Sequence, residues 1–132
     1  MKGDKPIPYD RLPSLPAYGG LDLASTQDFT AFALIFRDDE NDCFYMLCHQ
    51  FVNSVKAHNK KLAAGVDYLN YEREGDLTIT PGNVTDYRIV KQYILDQCAK
   101  YDVREIGYDP KFSTYIVAEL TEEEITMQPM AQ

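Results

Sequence analysis

The chain lacks any hydrophobic run long enough to cross a bilayer. A spanning helix needs roughly 20 largely apolar residues, and the apolar runs here are only strand-length. Its first residues, MKGDKPIPYD, contain no apolar core of the kind a secretory signal carries. A membrane role is therefore not expected, and the expected location is the cytoplasm. Cysteine is also scarce. Cys43, Cys48 and Cys98 are odd in number and have no metal-ligand spacing, which fits reduced thiols. A zinc site built from Cys43, Cys48 and His49 is disfavoured, because strand alternation sends the two cysteines to opposite faces and structural zinc wants four converging ligands. Positive charge is in short supply as well: 13 Lys and Arg against 21 Asp and Glu give a net charge of −8. A general attraction for a phosphate backbone is thereby excluded, and any nucleic-acid role needs a local site. There is no Walker GxxxxGK[ST] loop, no GxSxG elbow, no internal repeat and no low-complexity tract. Neither His49 nor His58 has a carboxylate or cysteine partner suggestive of nucleophilic catalysis.

What is present is one domain's worth of chain. The 132 residues are 45% hydrophobic and 26% charged, enough to bury a core without disulfides or metal staples. Four of the seven prolines, Pro6, Pro8, Pro13 and Pro16, fall in the first 16 residues. Residues 1–17 accordingly read as an extended, proline-rich linker or arm, and residues 18–132 as the domain. Three strands are expected at Leu21 to Ala24, Thr30 to Arg37 and Phe44 to Val52, joined by the polar turns STQD and DDENDC. Short connections between sequential strands predict an antiparallel meander.

Residues 54–75 are helix-prone and are interrupted by Gly65. LTIT follows as a short strand, stopped by Pro81 and Gly82. A helix then begins at a Thr85 or Asp86 cap, with Tyr87, Val90, Ile94, Cys98 and Tyr101 on one face at helical spacing. That stripe reads as core packing. VREIGYD is a further strand, Pro110 suits the first turn of a helix over KFSTYIVAEL, and ITMQPMAQ starts one more strand. The class expected is α/β: a mixed sheet with helices packed against it.

Two carboxylates stand out. In the first strand Leu21 and Leu23 share one face, while Gly20 and Asp22 share the other. The later strand repeats the arrangement, with Ile106 and Tyr108 on one face and Glu105, Gly107 and Asp109 on the opposite one. Each aspartate has a glycine two residues before it, so its neighbour on that face has no side chain. If the two strands are adjacent, roughly 4.8 Å apart, the carboxylates converge. Like charges so placed repel unless a cation lies between them, and Mg²⁺ or Mn²⁺ is the natural occupant. Paired ions about 3.5 to 4 Å apart activate water and stabilise the leaving oxygen of a phosphodiester. The bland alternatives are that Asp109 caps the following helix and that Asp28 is a turn residue. Lys56, His58, Lys60 and Lys61 in KAHNKK form the densest basic cluster and read as a solvated helix face, as Glu122, Glu123 and Glu124 read as a solvated loop or helix end.

From Tyr18 onward, YGGLDLASTQDFTAFALIF, REGDLTITPGN and DVREIGYD resemble, in order and approximate spacing, the C-terminal nuclease part of tailed-phage terminase large subunits. The resemblance implies a ribonuclease H-like fold and a metal-dependent endonuclease cutting concatemeric double-stranded DNA during genome packaging in the host cytoplasm. It makes Asp22 and Asp109 the first two acidic ligands of a two-metal site for Mg²⁺ or Mn²⁺, and the proline-rich arm the remnant of a link to an upstream ATPase motor. Through the full-length protein it implies a phage portal or small terminase subunit as partners. The family's nuclease continues to a third metal-site residue, whereas this sequence stops at MQPMAQ, so a C-terminally truncated domain is expected, with weak metal binding and little activity.

Two other readings start from the same residues. GGLDLASTQD also resembles the first phosphate hairpin of actin-like ATPases and sugar kinases, although Ala24 stands where close approach to phosphate wants glycine. A non-catalytic docking or assembly module of the packaging machinery, with Asp22 and Asp109 idle, is the alternative outside enzymology.

Overall fold

A computed structural model of the chain describes residues 7–23, 29–55, 57, 77–82, 85–110 and 114–130. Within them a 3-10 turn, Leu12–Ser14, precedes strands β1 (Pro16–Leu23), β2 (Phe29–Asp38), β3 (Cys43–Asn53) and β4 (Leu77–Thr80). Helix α1 (Tyr87–Lys100), strand β5 (Asp102–Tyr108), helix α2 (Thr114–Glu122) and strand β6 (Met127–Pro129) complete the order. The strands form one sheet in the order β4-β3-β2-β1-β5-β6. β1, β2 and β3 are the expected antiparallel meander. β4 lies parallel to β3, β5 parallel to β1, and β6 parallel to β5. This is the ribonuclease H-like mixed sheet anticipated from the sequence.

The helices follow from this strand order. β4 and β5 are four strands apart, so the connection through α1 must travel back across the sheet, and it does so with an apolar stripe facing the strands. Val90 and Ile94 are fully buried, and Tyr87, Cys98 and Tyr101 join the same core, as their spacing predicts. Tyr93 meets Phe32 and Phe51 edge-on, and Tyr101 meets Phe36 in the same way. At the helix start Asp86 caps by accepting from the backbone N–H of Arg88 at 3.0 Å. Its own N–H reaches Thr80 Oγ1 at 3.3 Å, tying the end of β4 to the helix. α2 adds Ile116 and Leu120 to the same layer.

Several elements differ from the sequence expectation. β1 begins at Pro16 rather than Leu21, because it sits between β2 and β5 and pairs with both, and two ladders outweigh the low strand propensity of Pro16, Gly19 and Gly20. The segment expected to be an extended arm turns at Leu12–Ser14, and Leu12, Leu15 and Ala17 are buried in the core. α2 is described from Thr114, and residues 111–113, between it and Pro110, lie outside the described residues. The helical region expected over 54–75 lies outside the described residues except for positions 54, 55 and 57, as do Asp28 and the KAHNKK side chains of Lys56, His58, Lys60 and Lys61.

The arm is held by a carboxylate that no local sequence pattern singles out. Strand alternation turns Asp38 to the same side as the buried Phe36 and Leu34, and Asp38 is itself fully buried. Burying it is costly unless its oxygens are satisfied, and they are. Asn41 donates from its side chain at 2.9 Å and from its backbone N–H at 3.2 Å. Arg11 lies 3.0 Å away and the Tyr45 hydroxyl donates at 3.2 Å. These donors, the Asn41 side chain foremost, hold the Asp38 carboxyl down at about 2 against an ordinary 3.8.

The glycines of β1 do different work. A Cβ on Gly19 would stand 3.0 Å from Ile106 Cγ1 and 3.2 Å from Phe32, both buried side chains with no room to give, whereas one on Gly20 would meet nothing within 4 Å. Gly19→Ala is expected to lower stability in urea denaturation by roughly 1–3 kcal/mol through overpacking, and Gly20→Ala to be neutral or to gain up to about 1 kcal/mol. For Asp38 the folded carboxyl titrates lower than the unfolded one, so its contribution is complete above the ordinary value and fades as pH falls from about 4 to about 2. The melting-temperature gap between the parent and Asp38→Asn should be widest at neutral pH and close across that window.

Candidate metal centre

The parallel pairing of β1 with β5 decides what the two aspartates can do. The register pairs Gly20 with Gly107 and Leu21 with Tyr108. Asp22 and Asp109 each follow one residue beyond that last rung, so they occupy neighbouring strand ends. Paired residues of parallel strands face the same side. Leu21 points into the core, so Asp22 points to the face opposite α1 and α2, where it is exposed; Asp109, just past the end of β5, is half-buried. Adjacent strands are roughly 4.8 Å apart, a separation that two carboxylates can share as hard oxygen ligands.

Asp109 as a cap of α2 is not tested, because residues 111–113, between it and the described start of α2 at Thr114, lie outside the described residues. The two glycines are not equivalent. The face above Gly20 is open, as the sequence pattern predicts. Above Gly107 the space is taken: a Cβ there would stand 3.1 Å from Met130 Cγ and 3.2 Å from its Sδ. Met130 is placed there because its N–H continues the β5–β6 ladder to the Tyr108 carbonyl at 2.8 Å. Room for a ligand therefore lies on the β1 side of the pair.

The donor set suits a hard divalent ion in kind but is short in number. Among the described residues no group of three or more His, Cys, Asp or Glu side chains is close enough to hold a metal. Glu105 shares the face of Asp109, but four residues of extended strand separate the two, too far to converge. Several other acids are ion-paired. Asp102 pairs with Arg104 at 2.8 Å, Glu119 with Lys91 at 3.0 Å and Glu123 with the same lysine at 3.6 Å. Arg104 holds the Asp102 carboxyl below its ordinary range, and hydrogen bonds from Tyr115 and Lys91 do the same for Glu119. Glu122 ends α2, and Glu123 and Glu124 are exposed beyond it, the solvated helix end expected.

The other singled-out residues take structural roles. Cys43 and Cys48 lie on β3 with opposite parity, and all three cysteines are free thiols. His49 is buried, its Nε2 2.7 Å from Thr78 Oγ1 and its ring stacked on Tyr93 with centroids 4.3 Å apart. No helix among the described residues is long and apolar enough to cross a membrane.

Comparison with known proteins places this geometry. The chain is similar in structure to the large terminase of bacteriophage HK97, with a TM-score of 0.77 at 20% sequence identity. The match covers 89% of this chain and 25% of the HK97 chain, so the protein spans about a quarter of that terminase. Among curated proteins no match is found. The family model described as the terminase large subunit, endonuclease domain, matches residues 5–132, so it takes in most of the proline-rich arm as well as the sheet. The chain belongs to the terminase large subunit endonuclease-domain family.

Proposed function

We propose that this chain is the part of a terminase large subunit that builds the first half of a divalent-metal nuclease site, with Asp22 and Asp109 as its ligands and Mg²⁺ or Mn²⁺ as the ion. One observation carries the reading: the parallel register of β1 and β5 sets two carboxylates at adjacent strand ends on an open face. Ion pairs of that sign are tolerated where a cation is the natural third party. When bound, a divalent ion supplies an activated water and charge neutralisation to a phosphodiester. The chain's own residues position that chemistry. Asp22 is fixed by its pairing with Ala31 of β2, Asp109 by the end of β5, and Gly20 leaves the face beside Asp22 clear for a DNA backbone.

In the packaging of phage DNA the substrate of such a site is concatemeric double-stranded DNA in the host cytoplasm, and a portal or small terminase subunit meets the full-length protein. The net charge of −8 supplies no general attraction for that duplex, so capture of DNA falls to the assembled packaging machine. With two carboxylates brought together among the described residues, the ion is held weakly and cleavage by this chain alone is slow.

Melting curves with and without Mn²⁺ test the site. At an ion concentration ten times the dissociation constant, linkage gives about 1.4 kcal/mol, a rise of a few degrees for the parent that Asp22→Asn and Asp109→Asn should each abolish. An equal rise in parent and variants would remove the two aspartates from the metal site. Supercoiled plasmid incubated with Mn²⁺ should be nicked little; rapid cutting would contradict the weak, two-carboxylate centre while leaving the residue assignment standing.

A further inference from the structure

The row that holds the two aspartates extends one strand further than the carboxylates do. β6 runs parallel to β5 with Tyr108 paired to Pro129, and the Met130 N–H donates to the Tyr108 carbonyl at 2.8 Å. Met130 therefore stands beside Asp109 as Asp109 stands beside Asp22, each one rung past the last pair of its ladder. Neighbouring strands are roughly 4.8 Å apart, so β6, β5 and β1 present Met130, Asp109 and Asp22 at three consecutive strand ends.

The thioether lies on the face that the alternation of β5 gives to Asp109. Gly107 and Asp109 are two residues apart and share that face, and the Met130 side chain covers Gly107, with Cγ 3.1 Å and Sδ 3.2 Å from where a Cβ would stand. Two residues of strand advance roughly 6.6 Å, a distance that a long side chain spans by rotation. Methionine is unbranched, with three rotatable bonds and a polarizable sulfur. Met130 is also 45% exposed, so its sulfur can turn from Gly107 toward the carboxylates without disturbing the core. The other sulfur on this face, the exposed Cys48, pairs with Ala33 of β2 and so lies two strands beyond β1.

The chemistry of the three groups differs in a way that matters to an ion. Carboxylate oxygens are hard donors that suit Mg²⁺ and Mn²⁺ alike, whereas a thioether is a soft donor that Mg²⁺ does not use and softer ions do. Asp22 and Asp109 by themselves offer little basis for choosing between divalent ions. A sulfur at the next strand end supplies one.

We propose that Met130 is a metal-selectivity residue: with Asp22 and Asp109 it completes a mixed oxygen and sulfur donor set that favours Mn²⁺ and softer divalent ions over Mg²⁺. The proposal rests on the assignment of the two aspartates to the metal.

Melting curves of the 132-residue chain in Mg²⁺, Mn²⁺ and Cd²⁺, each titrated, test it in the parent and in Asp22→Asn, Met130→Leu and Met130→Ala. The part of each shift that Asp22→Asn abolishes belongs to the centre, which sets aside Cd²⁺ held by the Cys48 thiol. Leucine keeps the bulk over Gly107 and removes the sulfur. The parent is expected to bind Cd²⁺ most tightly, then Mn²⁺, then Mg²⁺. Met130→Leu should lose roughly tenfold in affinity for Cd²⁺ and about twofold to threefold for Mn²⁺, with Mg²⁺ unchanged. Met130→Ala should show the same order of losses, and it carries the test if the leucine variant does not melt cooperatively. An unchanged Cd²⁺ preference in both Met130 variants, with the Asp22 dependence intact, would overturn the role of the thioether and leave the aspartates standing. So would an equal loss for all three ions, which assigns Met130 to packing alone. If no ion gives an Asp22-dependent shift, the carboxylate assignment fails and the selectivity fails with it.

Discussion

The parallel ladder between β1 and β5 is the constraint on which the rest of the molecule depends. It joins the N-terminal meander to the helix-strand-helix unit that follows, and it does so at the centre of the sheet, where each strand must give up side-chain bulk for the fit. Gly19 is packed so closely on Ile106 and Phe32 that a methyl group there has nowhere to go. That contact reaches across strands far apart in sequence, so the register is specified by core packing and not by a turn. A slip of one residue would turn Leu21 and Ile106 outward and carry Asp22 into the core, so the same packing that stabilises the fold sets the direction of both carboxylates.

The placement of α1 and α2 on one side of the sheet follows from the same ladder. α1 crosses beneath β3, β2 and β1 to deliver β5, and α2 returns beside it to deliver β6. Both spend their apolar stripes on the side where Phe32, Phe36 and Phe51 point. The opposite face carries Asp22 at one end and the exposed Tyr18, Ile35 and Met46 at the other, and toward β4 it buries Val52 and Leu77 with Ala57.

Much of this was legible in the sequence, and the exceptions have physical causes. Strands β2 and β3, β4 and helix α1 announce themselves because their periodicity and punctuation agree with their burial: LTIT stops at Pro81, and Asp86 caps a stripe from Tyr87 to Tyr101. β1 was legible only from Leu21 onward, since nothing local reveals that Pro16 and the paired glycines are held by ladders on both sides. The glycine-then-aspartate pattern identified the carboxylate face, yet it treated Gly20 and Gly107 alike; Met130 fills the space over one of them through a ladder contact that no local pattern encodes. Asp38 was hidden in an acidic turn, where composition suggests solvent. Its partner Arg11 lies in a segment that reads as a linker, so only the folded chain brings the two together.

These exceptions bear on why an acidic domain can belong to a nuclease family. Asp38 is a carboxylate whose cost is met internally by four donors, and it stabilises the join between arm and sheet. Asp102, Glu119 and Asp86 are likewise matched with a cation or a backbone N–H. Such acids are neutralised locally and exert little field at a distance. Asp22 and Asp109 follow the last paired residues of parallel strands. The net charge of −8 already counts every matched pair as zero, so the excess acids are what a phosphodiester meets, and in the proposed reading one divalent ion between Asp22 and Asp109 would neutralise that pair.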